Sequence, residues 1–143
     1  MTIEESVRIK ADIGRVWETF IDLTCWAEWN TVLRDVPDGH DRLREGESFR
    51  CSLSPFAFSI EIRPLIVEVL KHRKIVWKSR RFGISARHEF LFRKIGGGVK
   101  VISREELKGI PLAVSGMLFP KWKIQELTRT FLEDLRNASE VSR

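Results

Sequence analysis

Two titratable residues, His88 and Glu105, are the candidates for chemistry in this chain, because the sequence sets them opposite one another. Ala86, His88, Phe90 and Phe92 recur at every second position, as do Val99, Val101, Ser103, Glu105 and Leu107. That period puts each set on one face of a β-strand. Gly96-Gly97 lies between the runs and is a favoured type I′ hairpin pair. A two-residue turn there brings both apolar faces to the same side. It sets Arg87 opposite Glu106, Glu89 opposite Arg104 and Leu91 opposite Ile102 on the outer face, and these compatible pairs support the register. Arg93 opposite Lys100 is the one poor pair. On the inner face the same register sets His88 opposite Glu105, among Trp77, Phe90, Phe92 and Val101. A polar pair in such surroundings needs a partner, a ligand or water. Three roles are open to it. It could be a structural pair that fixes the hairpin, a polar anchor for the hydroxyl, carbonyl or carboxyl end of a ligand, or a general base, His88, oriented by Glu105.

Other chemistries find less support. Gly96-Gly97-Gly98 lacks the Lys-Ser/Thr of a phosphate loop and opens a strand instead of a helix. His40, His72 and His88 are too scattered for a metal triad. Cys25 and Cys51 show no metal or redox spacing and read as reduced, partly buried thiols. No metal and no cofactor is expected. The net charge of +5 comes from 25 Lys and Arg against 20 Asp and Glu, a balance that does not mark a nucleic-acid binder. Lys78, Arg80, Arg81, Arg87, Arg93, Lys94, Lys100, Arg104 and Lys108 make the outer sheet face basic, but Glu89 and Glu106 interrupt it. No aromatic residue interleaves with them, so base stacking has no platform. The face reads as solvated, with contact to an anionic membrane the lesser option. No apolar run reaches the roughly 18 residues of a membrane span, and Glu4 and Glu5 do not suit a signal peptide. A cytoplasmic location is expected.

The elements that must position the pair follow from periodicity. Residues 120–139 carry Trp122, Leu127, Phe131 and Leu135 at helical spacing, widened by Ile124, Leu132 and Ala138, with charges on the other face. That is an amphipathic helix laid on something apolar. Pro120 suits its first position. Before it, from about Val32, the chain alternates with period two. A first strand spans Ile3 to Lys10. Asp12 caps a short helix with Ile13, Val16, Trp17 and Phe20 on one side. Asp22 caps a second, with Trp26 and Trp29, which Asn30 ends in the left-handed conformation. Thr31 to Val36 reads as a weak strand. Further strands carry Phe49, Cys51 and Leu53, then Phe58, Ile60 and Ile62 with an edge or bulge at Pro64, then Ile75 and Trp77. The 143 residues suit one domain, 1–143.

This order resembles the START-like helix-grip fold. Val7-Arg8-Ile9-Lys10-Ala11-Asp12 with Val16-Trp17, then Asp22 through Trp26, Trp29 and Asn30, are similar to the opening of the SRPBCC superfamily, in its polyketide cyclase/dehydrase and lipid-transport branch. Gly83 through His88-Glu89-Phe90 resembles its H-x-F strand. Gly97-Gly98, Glu105, Leu107 and Gly109 resemble its final strand, before the C-terminal helix. The resemblance implies an α+β fold, a curved antiparallel sheet in β-α-α-β5/6-α order wrapped around the long helix, with an apolar cavity between. It carries over no cyclase active site and no metal or iron–sulfur signature.

The expectation is a binder of a small hydrophobic ligand (lipid, isoprenoid or polyketide-like), monomeric or dimeric. The alternative is a polyketide cyclase/dehydratase-type enzyme using the same cavity. The lining is expected from Trp26, Trp29, Phe49, Cys51, Ile60, Trp77, His88, Phe90, Phe92, Val101, Glu105, Met117, Trp122, Leu127 and Phe131, with Val114, Met117 and Leu118 as wall or lid. Binding of this kind calls for a cavity of about 300 Å³ or more.

Overall fold

The computed structural model describes residues 1–39, 41–81, 83–109 and 120–141. Its order is β1 (Thr2–Ile9), α1 (Ile13–Ile21), a 3₁₀ turn (Leu23–Cys25), α2 (Trp26–Trp29), β2 (Cys51–Leu53), β3 (Ile60–Ile62), β4 (Leu65–Leu70), β5 (Lys74–Arg81), β6 (Ile84–Ile95), β7 (Gly98–Lys108) and α3 (Lys121–Glu140). Five strands form a curved antiparallel sheet in the order β1-β7-β6-β5-β4, and β2 and β3 form a separate ribbon. The chain thus has the expected α+β helix-grip architecture. Pro120 stands just before α3, at the cap.

The β6–β7 register is the one the side chains require: Arg87 faces Glu106, His88 faces Glu105, Glu89 faces Arg104 and Leu91 faces Ile102. The turn differs in type. Only Gly97 has positive φ (82°), whereas type I′ needs it at both central residues. Gly98 has its own constraint, because a Cβ there would come within 2.0 Å of the Ile9 carbonyl oxygen. That oxygen is backbone in the paired β1 strand and cannot swing aside. Gly98→Ala is therefore expected to lower stability by about 2–3 kcal/mol, read as a reduced urea midpoint with unchanged slope; a neutral result would mean that β1 and β7 pair less closely.

Asp12 caps α1 by accepting from the Arg15 N–H (3.2 Å). Asp22 caps the 3₁₀ turn through the Thr24 N–H (3.0 Å). Asn30 does not take the left-handed conformation: its φ is −93°. Its side-chain oxygen instead accepts from the N–H groups of Val32 (3.0 Å) and Leu33 (2.9 Å). Those donors are thereby lost to a sheet ladder, so Thr31 to Val36 is a looped segment with a single bridge from Arg34 to Ser52. The strand expected from Phe58 begins at Ile60, after a loop closed by the Ser54 and Ser59 hydroxyls at 2.9 Å. The irregularity foreseen at Pro64 lies just beyond it, as a register shift between Ile66 and Glu68.

α3 packs on β1, α1 and α2, burying Thr128, Phe131, Leu132 and Leu135. Polar ties fix its position. Asp134 accepts from the Thr31 N–H (2.9 Å) and hydroxyl (2.7 Å), and Arg129 pairs with Glu5 at 2.6 Å. Such exposed contacts add little to stability; the buried stripe holds the helix. Neither cysteine is in a disulfide, and burial pushes the Cys51 thiol up to about 12. No helix among the described residues is long and apolar enough to cross a membrane.

Candidate functional site

The inner face of the sheet is divided along its strands. At one end Ile75, Phe92, Val99 and Val101 are buried, together with Trp17 and Phe20 of α1, in a solid core. Phe20 is the hub there: its ring lies 4.8–6.1 Å from those of Trp26, Trp77, Phe90, Phe92 and Phe131. α1 is too short to cover the other end, where Ser79, Ala86, His88, Glu105 and Leu107 face a cavity of about 160 Å³. Ile60 and Ile62 of the ribbon and Ile124, Leu127 and Phe131 of α3 close it over.

The expected lining residues separate along the same line. Ile60, Trp77, His88, Phe90, Glu105, Leu127 and Phe131 border the cavity. Trp26, Phe49, Cys51, Phe92 and Val101 are buried in the core, and Trp29 packs against it. Alternation assigned these residues to the inner face but could not say which end of that face α1 fills. Trp122 is a correction: it is 57% exposed and does not line the cavity, its ring meeting that of Phe56 edge-on at 6.1 Å. Met117, like Val114 and Leu118, lies outside the described residues. Ser79, Ala86 and Thr128 also border the cavity; alternation had put Ala86 on the inner face, but small or polar side chains carry no hydrophobic signal that would name them as lining.

The polar centre comprises three residues. His88 Nδ1 lies 3.6 Å from Glu105 Oε2, and His88 Nε2 lies 2.6 Å from Ser103 Oγ. The His88 ring stacks on Phe90 at 4.1 Å. The serine–histidine–carboxylate order suggests a nucleophile, but Ser103 is 0% exposed and is not among the cavity-lining residues, so no substrate in the cavity reaches its hydroxyl. Its role is to orient. The Ser103 hydroxyl and Nε2 share this hydrogen bond, and which of them donates follows the imidazole tautomer. The side chains of His88 and Glu105 are 13% and 18% exposed, and this exposure is to the cavity. Burial holds His88 well below its ordinary value, to about 3, and pushes Glu105 up to about 7. At neutral pH the site thus offers a neutral imidazole and a carboxyl near its midpoint, on walls that are mostly apolar but also carry Ser79, Thr128 and Arg81; Arg81, expected on the outer sheet face, is a correction. Glu105 can donate or accept a hydrogen bond, or act as an acid. Sequence reasoning had placed His88 first and had not connected it with Ser103, which occupies its Nε2.

A curved antiparallel sheet closed over by one long helix, with a largely apolar hollow between them, defines the helix-grip fold. The chain belongs to the family described as polyketide cyclase / dehydrase and lipid transport, whose model matches residues 1–140. It matches no curated protein. Among solved structures it is similar to protein CV1439 from Chromobacterium violaceum, with a TM-score of 0.78 at 19% identity over 99% of both chains. TTHA0849 from Thermus thermophilus has a TM-score of 0.78 at 15% identity, over 97% of both chains. The di-domain ARO/CYC BexL of the BE-7585A biosynthetic pathway has a TM-score of 0.76 at 16% identity, over 100% of this chain and 51% of that one.

Proposed function

We propose that the cavity binds a small, largely apolar molecule whose inserted part is about one ring in size and presents a hydroxyl or carbonyl oxygen to Glu105. The observation that carries this reading is the largely apolar hollow with the buried His88–Glu105 pair on its wall. Its volume of about 160 Å³ is near half of the roughly 300 Å³ the sequence-based expectation required. The cavity thus falls short of the size set for a small lipid, isoprenoid or polyketide-like ligand, and a smaller inserted group is the reading it supports. An apolar protein cavity of about 150 Å³ is enough to take up benzene, so a single ring fits, and a longer ligand would have to extend through the mouth.

Native mass spectrometry of the protein from its own host, followed by organic extraction, tests this, with acetophenone and phenol as probes for the emptied protein. Ala86→Phe would fill the hollow. The expected result is saturable probe binding in the wild type, lost in Ala86→Phe with no loss of thermal stability. Absence of both an adduct and probe binding would sink the proposal.

A second reading, favoured by the raised Glu105 carboxyl beside His88, is acid catalysis on a polyketide-like substrate. The similarity to an ARO/CYC protein is compatible with it. Under that reading Glu105→Gln abolishes turnover while substrate affinity changes little.

A further inference from the structure

We propose that the rim of the cavity mouth docks on an anionic lipid surface through Phe56, Phe58 and Trp122. These rings are 45%, 42% and 57% exposed, and they come from separate parts of the chain. Phe56 and Phe58 stand in the loop joining β2 to β3, and Trp122 in the first turn of α3. Phe56 meets Trp122 edge-on at 6.1 Å. Lys123 Nζ lies 5.3 Å from the Phe56 ring centre and 5.9 Å from that of Trp122.

The patch adjoins the cavity directly. Leu53 and Ile60, which flank the aromatic loop, line the hollow, as does Ile124, two residues past Trp122. None of the three rings lines the hollow. Exposed Trp and Phe beside Lys suit the interfacial layer of a bilayer, where rings sit at headgroup level and amino groups reach the phosphates.

Charge selects the kind of surface. The two segments carry Arg50, Arg63, Lys121 and Lys123 against Glu61 and Glu126. Both acids are already paired, Glu61 with Arg50 at 3.4 Å and Glu126 with Lys123 at 2.9 Å. Arg63 and Lys121, both exposed, remain as the positive excess. Basic residues beside a bilayer favour anionic lipid. This face is distinct from the basic outer sheet, whose charges carry no comparable aromatic cluster.

The test is co-sedimentation of the full chain with phosphatidylcholine vesicles, with and without about 30% phosphatidylglycerol. Binding is expected with the anionic lipid and is expected to weaken several-fold as salt rises from about 0.1 to 0.5 M. The double variant Phe56→Ser/Trp122→Ser is expected to bind about tenfold more weakly or worse, with an unchanged melting temperature. Lys100→Glu/Arg104→Glu on the outer sheet is expected to bind as the wild type does. No preference for anionic vesicles would overturn the proposal. So would undiminished binding of the aromatic variant, or loss of binding in the outer-sheet variant. Self-association in analytical ultracentrifugation that is lost in the aromatic variant, without any vesicle binding, would overturn it too, and would assign the patch to a second copy of the chain. Ala86→Phe fills the cavity without touching the rim, so vesicle binding succeeds or fails independently of ligand uptake.

Discussion

Phe20→Ala is expected to cost about 4 kcal/mol of folding free energy, the largest single loss among these predictions. The ring is fully buried and contacts five other aromatic rings drawn from α2, β5, β6 and α3. It also anchors the helix that bears it, since α1 buries only Val16, Trp17, Phe20 and Ile21. The surrounding rings are too large to move into the vacated space, so the lost contacts would not be recovered. For a domain of ordinary stability this removes a large share of the margin. Urea denaturation of Phe20→Ala beside Phe56→Ala, at an exposed ring, measures it. A cost under about 1 kcal/mol would mean that the core is loosely packed.

The second large effect is on pH. The Glu105–His88 pair is expected to add no slope to the stability of the wild type between about pH 4.5 and 6.5, and Glu105→Gln is expected to introduce one. Burial lowers His88 from 6.5 to about 3 and raises Glu105 from 4.5 to about 7. As pH falls below 6.5, the unfolded chain protonates His88 and the folded chain does not, so stability is withdrawn. Glu105 acts in the opposite sense. As pH rises above 4.5, the unfolded chain releases its carboxyl proton and the folded chain keeps it, so stability is withdrawn in that direction. Between these limits each state holds one proton on the pair, on Glu105 when folded and on His88 when unfolded. Equal proton counts give zero slope. Glu105→Gln leaves the histidine alone, and stability should then rise with pH from about 3 to 6.5, by at most about 1.4 kcal/mol per pH unit. His88→Gln leaves the carboxyl alone, and stability should fall as pH rises from 4.5 to about 7. Urea melts across pH, each compared with the wild type, give the sign. Parallel curves for the three proteins would mean that the pair titrates as it does in water.

Much of the fold was legible in the sequence because it rests on periodicity and charge complementarity. The β6–β7 register follows from inner alternation and from outer pairs such as Glu89 with Arg104. α3 follows from its apolar stripe, and the first cap from Asp12. Thr31 to Val36 was misread because Asn30 captures two backbone donors with its side chain, which a hydrophobic pattern does not register. Trp122 was misread because a ring at helical spacing carries no sign of whether it faces the cavity or solvent. The site was legible in half. His88 and Glu105 followed from register alone. Which aromatics fill space and which enclose it depends on how far α1 reaches, and that is a matter of length and placement. Ser103 was placed on the inner face but not tied to His88, because its partner is a side chain two residues along on the opposing strand, where pairing rules are silent.

The shared proton has a consequence for what the hollow would extract from water. Wherever that proton rests between His88 and Glu105, their combined charge is zero until the carboxyl gives it up near pH 7. Toward an entering molecule the site then behaves less like a charged receptor than like a droplet of wet octanol, an oily medium with a hydrogen-bonding group in it. Transfer into such a medium carries a modest penalty for one hydroxyl or carbonyl and a severe one for a naked ion. Selection among uncharged guests would then follow their octanol–water partition, cut off by size.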